Sequence, residues 1–195
     1  MTIEEKRKNL LPIYRAFEEA VEALKILAVC GVGCNFCCTK MGKIDIATLE
    51  GLVILERLEG MSGDARDELK RKSERNMAEQ ERGMTSPCPF QDSAGACLVY
   101  DVRPFSCRQL YSLRKCDRGG PLIHRQAVEA AGETVRKIQR LDDSGYSGHL
   151  TFILRLLGLP EFRKLYVAGG FDPAKIADFG KTHGIIINRS ICDNR

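Results

Sequence analysis

The sequence predicts a mainly α-helical fold: a small, irregular helical domain with a core of cysteine-rich loops that binds metal. Apolar residues recur at helical spacing through most of the chain, and glycine and proline concentrate around two groups of cysteines. A length of 195 residues with 44% hydrophobic content suffices for one core. We therefore expect a single domain, 1–195, in which a cysteine-cluster region, 30–116, is inserted in a helical scaffold and followed by a C-terminal helical extension, 121–195.

The first predicted helix begins after Thr2, which can form a capping box with Glu5. Its apolar stripe continues to Ala28, so we expect the helix to run into Cys30. Pro12 either begins this helix or kinks it, because proline fits a first turn but removes a hydrogen bond from a helix interior.

A second, well-buried helix is predicted from Ile46 to Leu58, with Asp45 as its cap and an end near Gly60. The highly charged stretch 64–82 predicts a third helix that buries only a thin apolar stripe.

The remainder of the chain alternates between turns and short helices. Residues 86–120 are rich in proline and glycine, which is typical of ligand-binding loops. Four further helices are predicted, at 128–138, at 150–157, from Pro160, and from Asp172 to a stop at Gly180. Only 185–187 has the composition of a strand.

Charge and hydropathy exclude several classes of protein. The net charge is only +4, from 30 Lys and Arg against 26 Asp and Glu, and no basic run is interleaved with aromatics. Nucleic-acid binding is therefore not expected. The first residues lack the apolar segment of a secretory signal, and no apolar run reaches the length of a membrane span. We expect a cytoplasmic protein with no membrane partner, whose partners are metal ions; the sequence identifies no protein partner.

The unusual feature is a set of nine cysteines, which in a reducing cytosol are more often metal ligands or redox groups than disulfides. Four of them share one short loop with two glycines: Cys30, Cys34, Cys37 and Cys38. Glycine permits the left-handed backbone angles that a loop around a metal or cluster requires. Adjacent side chains diverge in most backbone conformations, so we expect Cys37 or Cys38 to serve another metal or role.

A second group supplies four more candidate metal ligands: Cys88, Cys97, Cys107 and Cys116. The eight thiols could fill two four-coordinate sites, or one site with spare thiols, because tetrahedral zinc and cubane clusters each take four cysteines. The sequence does not show how the eight thiols divide between sites. Cys192 is expected to be a free thiol.

Two arginines lie beside the second group. Arg103 and Arg108 are candidate cofactor-binding residues, because a guanidinium can offset thiolate charge and donate hydrogen bonds to sulfur. The alternative for each is an ordinary surface or carboxylate-paired arginine. His124, His149 and His183 lie in separate elements and are expected to be helix or cap residues rather than ligands.

These motifs also resemble a known family. The loop Cys30-Gly-Val-Gly-Cys34-Asn-Phe-Cys37-Cys38, followed by Cys-Pro-Phe and by Cys-x-x-Tyr-x-x-Arg-Pro-x-x-Cys-Arg, is similar to the YkgJ-type cysteine-cluster family over residues 30–116. The resemblance implies a domain that chelates zinc or iron. The family pattern has two residues in its first gap, where Cys30 and Cys34 enclose three.

Two S-adenosylmethionine enzymes provide the alternatives. Flagellin lysine-N-methylases are similar in cysteine pattern, which would imply a cluster and S-adenosylmethionine, although the sequence shows no motif for a methyl-donor pocket. Cys30, Cys34 and Cys37, with Phe36, also resemble the radical S-adenosylmethionine signature. Those enzymes need repeating βα units, however, whereas the predicted elements are helices.

Thiolates suit zinc and iron–sulfur clusters alike, but adjacent cysteines and close spacing fit a cluster better than the spaced pairs of zinc fingers. We therefore predict an iron–sulfur cluster, with [4Fe–4S] favoured over zinc and a metal-free thiol redox site as the third choice. The role could be electron transfer, metal handling or cluster-dependent modification. Whether the chain is an enzyme stays open.

Overall fold

The computed structural model describes residues 1–31, 33–117 and 119–192, without the side chains of 191 and 192. These residues form nine α-helices and one small antiparallel sheet, which confirms the mainly α prediction. The helices are α1 Ile3–Ala20, α2 Thr48–Glu59, α3 Gly63–Glu81, α4 Phe105–Arg108, α5 Arg125–Leu141, α6 Leu150–Leu157, α7 Pro160–Val167, α8 Ala177–His183 and α9 Asn188–Cys192. No helix in the described ranges is both long and apolar enough to cross a bilayer.

Helix α1 begins where the sequence predicts but ends earlier than predicted. Thr2 and Glu5 form the capping box, with Thr2 N–H donating to Glu5 at 2.7 Å, and Pro12 lies inside the helix. The prediction that the helix runs into Cys30 is wrong, because α1 ends at Ala20. Its successor, Val21, is fully buried, and a short 3₁₀ turn follows. Tertiary packing has overridden a helix-compatible sequence here.

The sheet consists of β1 Asp45–Ala47, β2 Tyr146–His149 and β3 Ile186–Ile187, with β2 in the centre. Asp45 pairs with His149 in the strand register, so the prediction that Asp45 caps α2 is wrong. Ala47 is the cap residue, and Glu50 accepts its N–H at 2.9 Å. The pairing of β1 with β2 moves the start of the helix to Thr48.

In the second half of the chain, a glycine ends one helix and histidines cap two others. The predicted stop at Gly180 is wrong, since α8 continues to His183 and ends at Gly184, whose φ is 63°. His124 and His149 are the N-caps of α5 and α6, as predicted for cap residues. The strand predicted at 185–187 is present as β3.

Two hydrophobic clusters share helix α2. The first cluster packs α2 against α6 and the sheet, and Gly51 permits this close approach because a Cβ there would lie 2.9 Å from Leu157 Cδ1. The second cluster packs α1 against α5 and includes Leu49 and Phe105. The segment 121–195 is therefore built into both clusters, since it supplies α5, α6 and β2.

A buried carboxyl group joins these elements. Asp142 is fully buried and accepts hydrogen bonds from Leu49 N–H at 3.0 Å and from the Tyr166 hydroxyl at 2.6 Å. Burial raises the pKa of Asp142 from 3.8 to about 7, and these hydrogen bonds only partly offset the shift.

This shift predicts a pH-dependent stability. A carboxyl whose folded pKa is raised stabilises the fold fully below its unfolded pKa, and this contribution is lost as the pH rises from about 4 to about 7. We expect the free energy of unfolding to fall across this range by about 4 kcal/mol more in the wild type than in Asp142→Asn. Urea titrations at a series of pH values measure the difference. The exposed Asp67→Asn should keep the wild-type slope, and equal slopes for Asp142→Asn and wild type would contradict the assignment.

Candidate metal centre

Eight cysteines have described side chains, and all eight are free thiols. Cys30 and Cys34 are exposed, whereas the other six are partly buried: Cys37, Cys38, Cys88, Cys97, Cys107 and Cys116. The side chain of Cys192, predicted to be a free thiol, lies outside the described residues, as does Val32 in the first loop.

The first cysteine loop is shaped by glycine and by one turn of π-helix. Gly33 adopts a φ of 87°, the left-handed conformation predicted for a glycine of this loop, and Cys34 N–H donates to Gly31 O at 3.1 Å. A π-helical turn covers Cys37–Met41 and ends at Gly42. Such turns are rare and concentrate at functional sites.

Gly42 fixes the end of this loop. Its carbonyl oxygen accepts from Gln80 Nε2 at 3.1 Å and lies 3.2 Å from His149 Nε2. Its φ is 63°, and a Cβ added there would lie 2.6 Å from Thr85 Cγ2. A side chain at this position would therefore push the loop away from the segment that leads to Cys88.

Gly42→Ala is expected to destabilise the protein by about 3 kcal/mol, because it adds steric overlap to left-handed backbone strain. Gly83→Ala is a matched control: Gly83 has a φ of 69° but nothing within 4 Å of its added Cβ. It should cost only about 1 kcal/mol. Denaturant titration measures both costs, and equal values would show that the Thr85 contact is unimportant.

The second loop is a tight hairpin that holds Cys88 and Cys97 on opposite arms. Leu98 N–H donates to Phe90 O at 2.9 Å, and Gln91 pairs with Cys97 across the two arms. Asp92 closes the turn, since its side chain accepts the N–H groups of 94 and 96. This geometry brings two cysteines that are nine positions apart in sequence close enough for their thiols to interact.

Backbone contacts join the first loop to the hairpin and to α4. Cys88 N–H donates to Cys38 O at 2.7 Å. Cys107 lies on α4, whose first residue, Phe105, donates its N–H to the buried Glu50 carboxylate at 2.7 Å. Cys88, Cys97 and Cys107 all pack against the first hydrophobic cluster. Three distant stretches of sequence therefore meet at these thiols.

Cys116 reaches the first loop from another direction. Leu113 N–H donates to Leu122 O at 2.8 Å and Leu122 N–H to Ser112 Oγ at 2.9 Å, which closes the loop that contains Cys116. Ser112 O accepts Val29 N–H at 2.8 Å, so this loop lies beside Cys30.

Several sulfurs have backbone donors of the kind found around metal-bound thiolates. The backbone of Phe90 partly offsets the raised pKa of Cys88, and the backbones of Val99 and Ser112 do the same for the pKa values of Cys97 and Cys30. Hydrogen bonds to sulfur stabilise thiolates and tune cluster potentials.

Burial first, and then the charges of neighbouring thiols, raise the pKa values of Cys37 and Cys88, to about 11 and about 12. Thiols in this arrangement resist ionising together unless a cation is present.

The two arginines have different surroundings. Arg103 stacks over the Tyr100 ring at 4.1 Å and interacts with Cys97, while its buried Nε has no acceptor among the described residues. Arg108 donates to Glu18 at 3.1 Å and to Arg103 O at 2.9 Å. Arg108 therefore has the carboxylate partner of the alternative interpretation, whereas Arg103 lies close enough to Cys97 for their charges to interact, and its role in binding a cofactor stays a prediction.

Sequence reasoning missed Glu50 and Gly42, which position two of the thiol segments. The signal for Glu50 was a single carboxylate in the otherwise apolar stretch 49–55, a pattern that indicates a buried, hydrogen-bonded acid. For Gly42 the sequence contains no comparable signal, because its constraint comes from distant contacts.

Across 1–31, 33–117 and 119–192, no three His, Cys, Asp or Glu side chains form a group that could hold a metal ion. No protein-family model, curated protein or solved structure matches the chain. Both metal binding and the resemblance to the YkgJ-type family stay predictions.

Proposed function

We propose that this protein binds metal through its clustered cysteine thiolates, and that the metal is an iron–sulfur cluster, [4Fe–4S] in preference to zinc. The observation that supports this most directly is the meeting of free thiols from separate segments, where Cys88 N–H bonds to Cys38 O at 2.7 Å. Disulfides would use the thiols in pairs, whereas metals collect them in fours. The proposal agrees with the resemblance to the YkgJ-type family.

The donor set fits such a group. Thiolate sulfur is the preferred ligand of iron–sulfur clusters and suits zinc as well. The buried Nε of Arg103 lacks an acceptor among the described residues, and a thiolate or sulfide beside Cys97 would supply one. When bound, a cluster would supply one-electron chemistry and zinc a structural cross-link.

The role that follows is electron transfer or metal handling in a reducing compartment such as the cytoplasm, where the thiols stay reduced. The protein would hold the metal centre, donate hydrogen bonds to the sulfurs of the centre and limit the access of water to the buried side of the centre.

A second candidate is a cluster enzyme that uses S-adenosylmethionine. A cavity of about 650 Å³ beside the first loop favours it, lined by Phe36, Lys40 and Met41 on one side and by Leu110 and Ile123 on the other. A cavity of this size suits a small ligand beside Phe36, the residue before Cys37. Equilibrium dialysis with S-adenosylmethionine decides between the two: retention by the metal-loaded protein supports the enzyme, and no retention supports the binding protein.

Anaerobic purification followed by iron, zinc and acid-labile sulfide analysis tests the proposed function. We expect a brown protein with iron and sulfide in equal amounts. Colourless protein with stoichiometric zinc would keep thiolate metal binding but overturn the preference for a cluster. Protein with neither metal, isolated with reduced thiols, would overturn the proposal.

A further inference from the structure

We infer that the eight thiols divide into two separate four-cysteine centres, each of which closes around one iron–sulfur cluster or one zinc ion when the metal binds. This inference rests on the proposed function and adds the number of centres and their ligands. The outer centre consists of Cys30, Cys34, Cys37 and Cys116. The inner centre consists of Cys38, Cys88, Cys97 and Cys107.

The outer centre is assembled where the first loop meets the loop that contains Cys116. Val29 N–H donates to Ser112 O at 2.8 Å, which places the Ser112 backbone beside the Cys30 thiol. The Cys30 thiol interacts with those of Cys34 and Cys116. One backbone contact thus brings Cys116 to the start of the first loop, although more than eighty residues separate the two in sequence.

The inner centre is assembled where the hairpin meets α4 and the end of the first loop. The bond from Cys88 N–H to Cys38 O joins two of its segments, and the pairing of Gln91 with Cys97 folds the arm that carries the third cysteine back onto the arm that carries Cys88. The fourth, Cys107, lies close enough to the thiols of Cys88, Cys38 and Cys97 for their charges to interact.

The adjacent residues Cys37 and Cys38 belong to different centres. Both lie in the π-helical turn, where successive side chains point in different directions. Among the thiols, Cys37 interacts most strongly with Cys116, and Cys38 most strongly with Cys97. Weaker interactions of Cys38 with Cys37 and with Cys34 cross the boundary, so the two centres are neighbours.

The two centres differ in exposure, and this difference predicts different lability. Cys30 and Cys34 are exposed, whereas three inner cysteines pack against the first hydrophobic cluster beside Phe90, which is 2% exposed. Solvent, chelators and oxidants reach exposed sulfur first. The outer centre should therefore release its metal well before the inner one.

Stepwise chelation of the wild-type protein tests the division without any mutation. The metal-loaded protein is treated with increasing EDTA if it contains zinc, or bipyridine if it contains iron, and released thiols are trapped with N-ethylmaleimide. The tryptic peptide 26–40 contains Cys30, Cys34, Cys37 and Cys38. We expect three labels on this peptide in the first step, together with Cys116, and the fourth label, on Cys38, only in the second step. Four labels gained together would overturn the division.

Neighbouring serine variants give a matched pair, because Cys37→Ser and Cys38→Ser alter the same turn. Half of the wild-type metal should remain in Cys37→Ser, in Cys116→Ser and in the double variant of these two. No metal should remain in the double variant of Cys37→Ser and Cys38→Ser. A further loss in the Cys37→Ser and Cys116→Ser double variant would show that these residues serve different centres and would overturn the inference. If the inner variant Cys38→Ser does not fold, the outer variants and the labelling experiment still test the division into two centres.

The outcomes separate this inference from the proposed function. Wild-type protein without metal contradicts the proposed function itself. Wild-type protein with metal for only one four-cysteine centre leaves the proposed function intact and overturns the division into two.

Discussion

Removing the metal is expected to unfold the cysteine loops while the helical frame stays folded. The stretches 30–44 and 84–104 are mostly irregular and are joined by few backbone bonds, of which Cys88 N–H to Cys38 O is one. Helices α1, α5 and α6 each contribute several residues to the two hydrophobic clusters, to which the loops add the single residues Ile44, Phe90 and Val99. Where loops lack a core of their own, the free energy of metal binding is folding free energy, on the order of ten kcal/mol for structural zinc.

Hydrogen exchange followed by mass spectrometry, before and after chelation, measures this effect. Amide protection should fall by several orders of magnitude within 30–44 and 84–104, while α5, which packs against α1 in the second cluster, serves as the internal control. Unchanged protection in the loops would show that they fold without metal. Loss of protection everywhere would show that the helical frame also depends on it.

Replacing Glu50 by alanine is expected to cost about 4 kcal/mol of unfolding free energy. The Glu50 carboxylate is 5% exposed and accepts from the Tyr14 hydroxyl at 2.6 Å, from Phe105 N–H at 2.7 Å and from Ala47 N–H at 2.9 Å. Alanine would leave all three donors buried without an acceptor. Because Phe105 begins α4, the change should also expose Cys107 to alkylation.

Denaturant titration and the rate of Cys107 alkylation together test this role. Glu59→Ala on the same helix is the control, because Glu59 makes only an exposed ion pair with Arg163 at 2.6 Å, which should contribute less than about 1 kcal/mol. Glu50→Gln keeps one acceptor oxygen and should fall between the two. A Glu50→Ala protein as stable as Glu59→Ala would contradict the positioning role.

Local sequence signals predicted the elements that depend on local chemistry. The capping box of Thr2 and Glu5, proline at the start of α7 and the charged α3 all appear as expected, because each depends on residues within one or two turns. The density of thiols likewise indicated where chemistry would be found.

Elements created by distant contacts could not be predicted. The strand β2 has the sequence Tyr-Ser-Gly-His, without alternating apolar residues, and its first residue is held by Thr48 Oγ1, which accepts Tyr146 N–H at 2.9 Å. The early end of α1 and the strand at Asp45 have the same origin. The sequence left open how the eight thiols divide, because the division depends on which loops meet.

X-ray absorption at the metal edge of the anaerobically purified protein tests thiolate binding most directly. We predict a first coordination shell of sulfur alone, with iron–iron scattering from a cluster, or with sulfur at about 2.3 Å if the metal is zinc. A first shell dominated by nitrogen or oxygen would place the metal elsewhere and contradict the account.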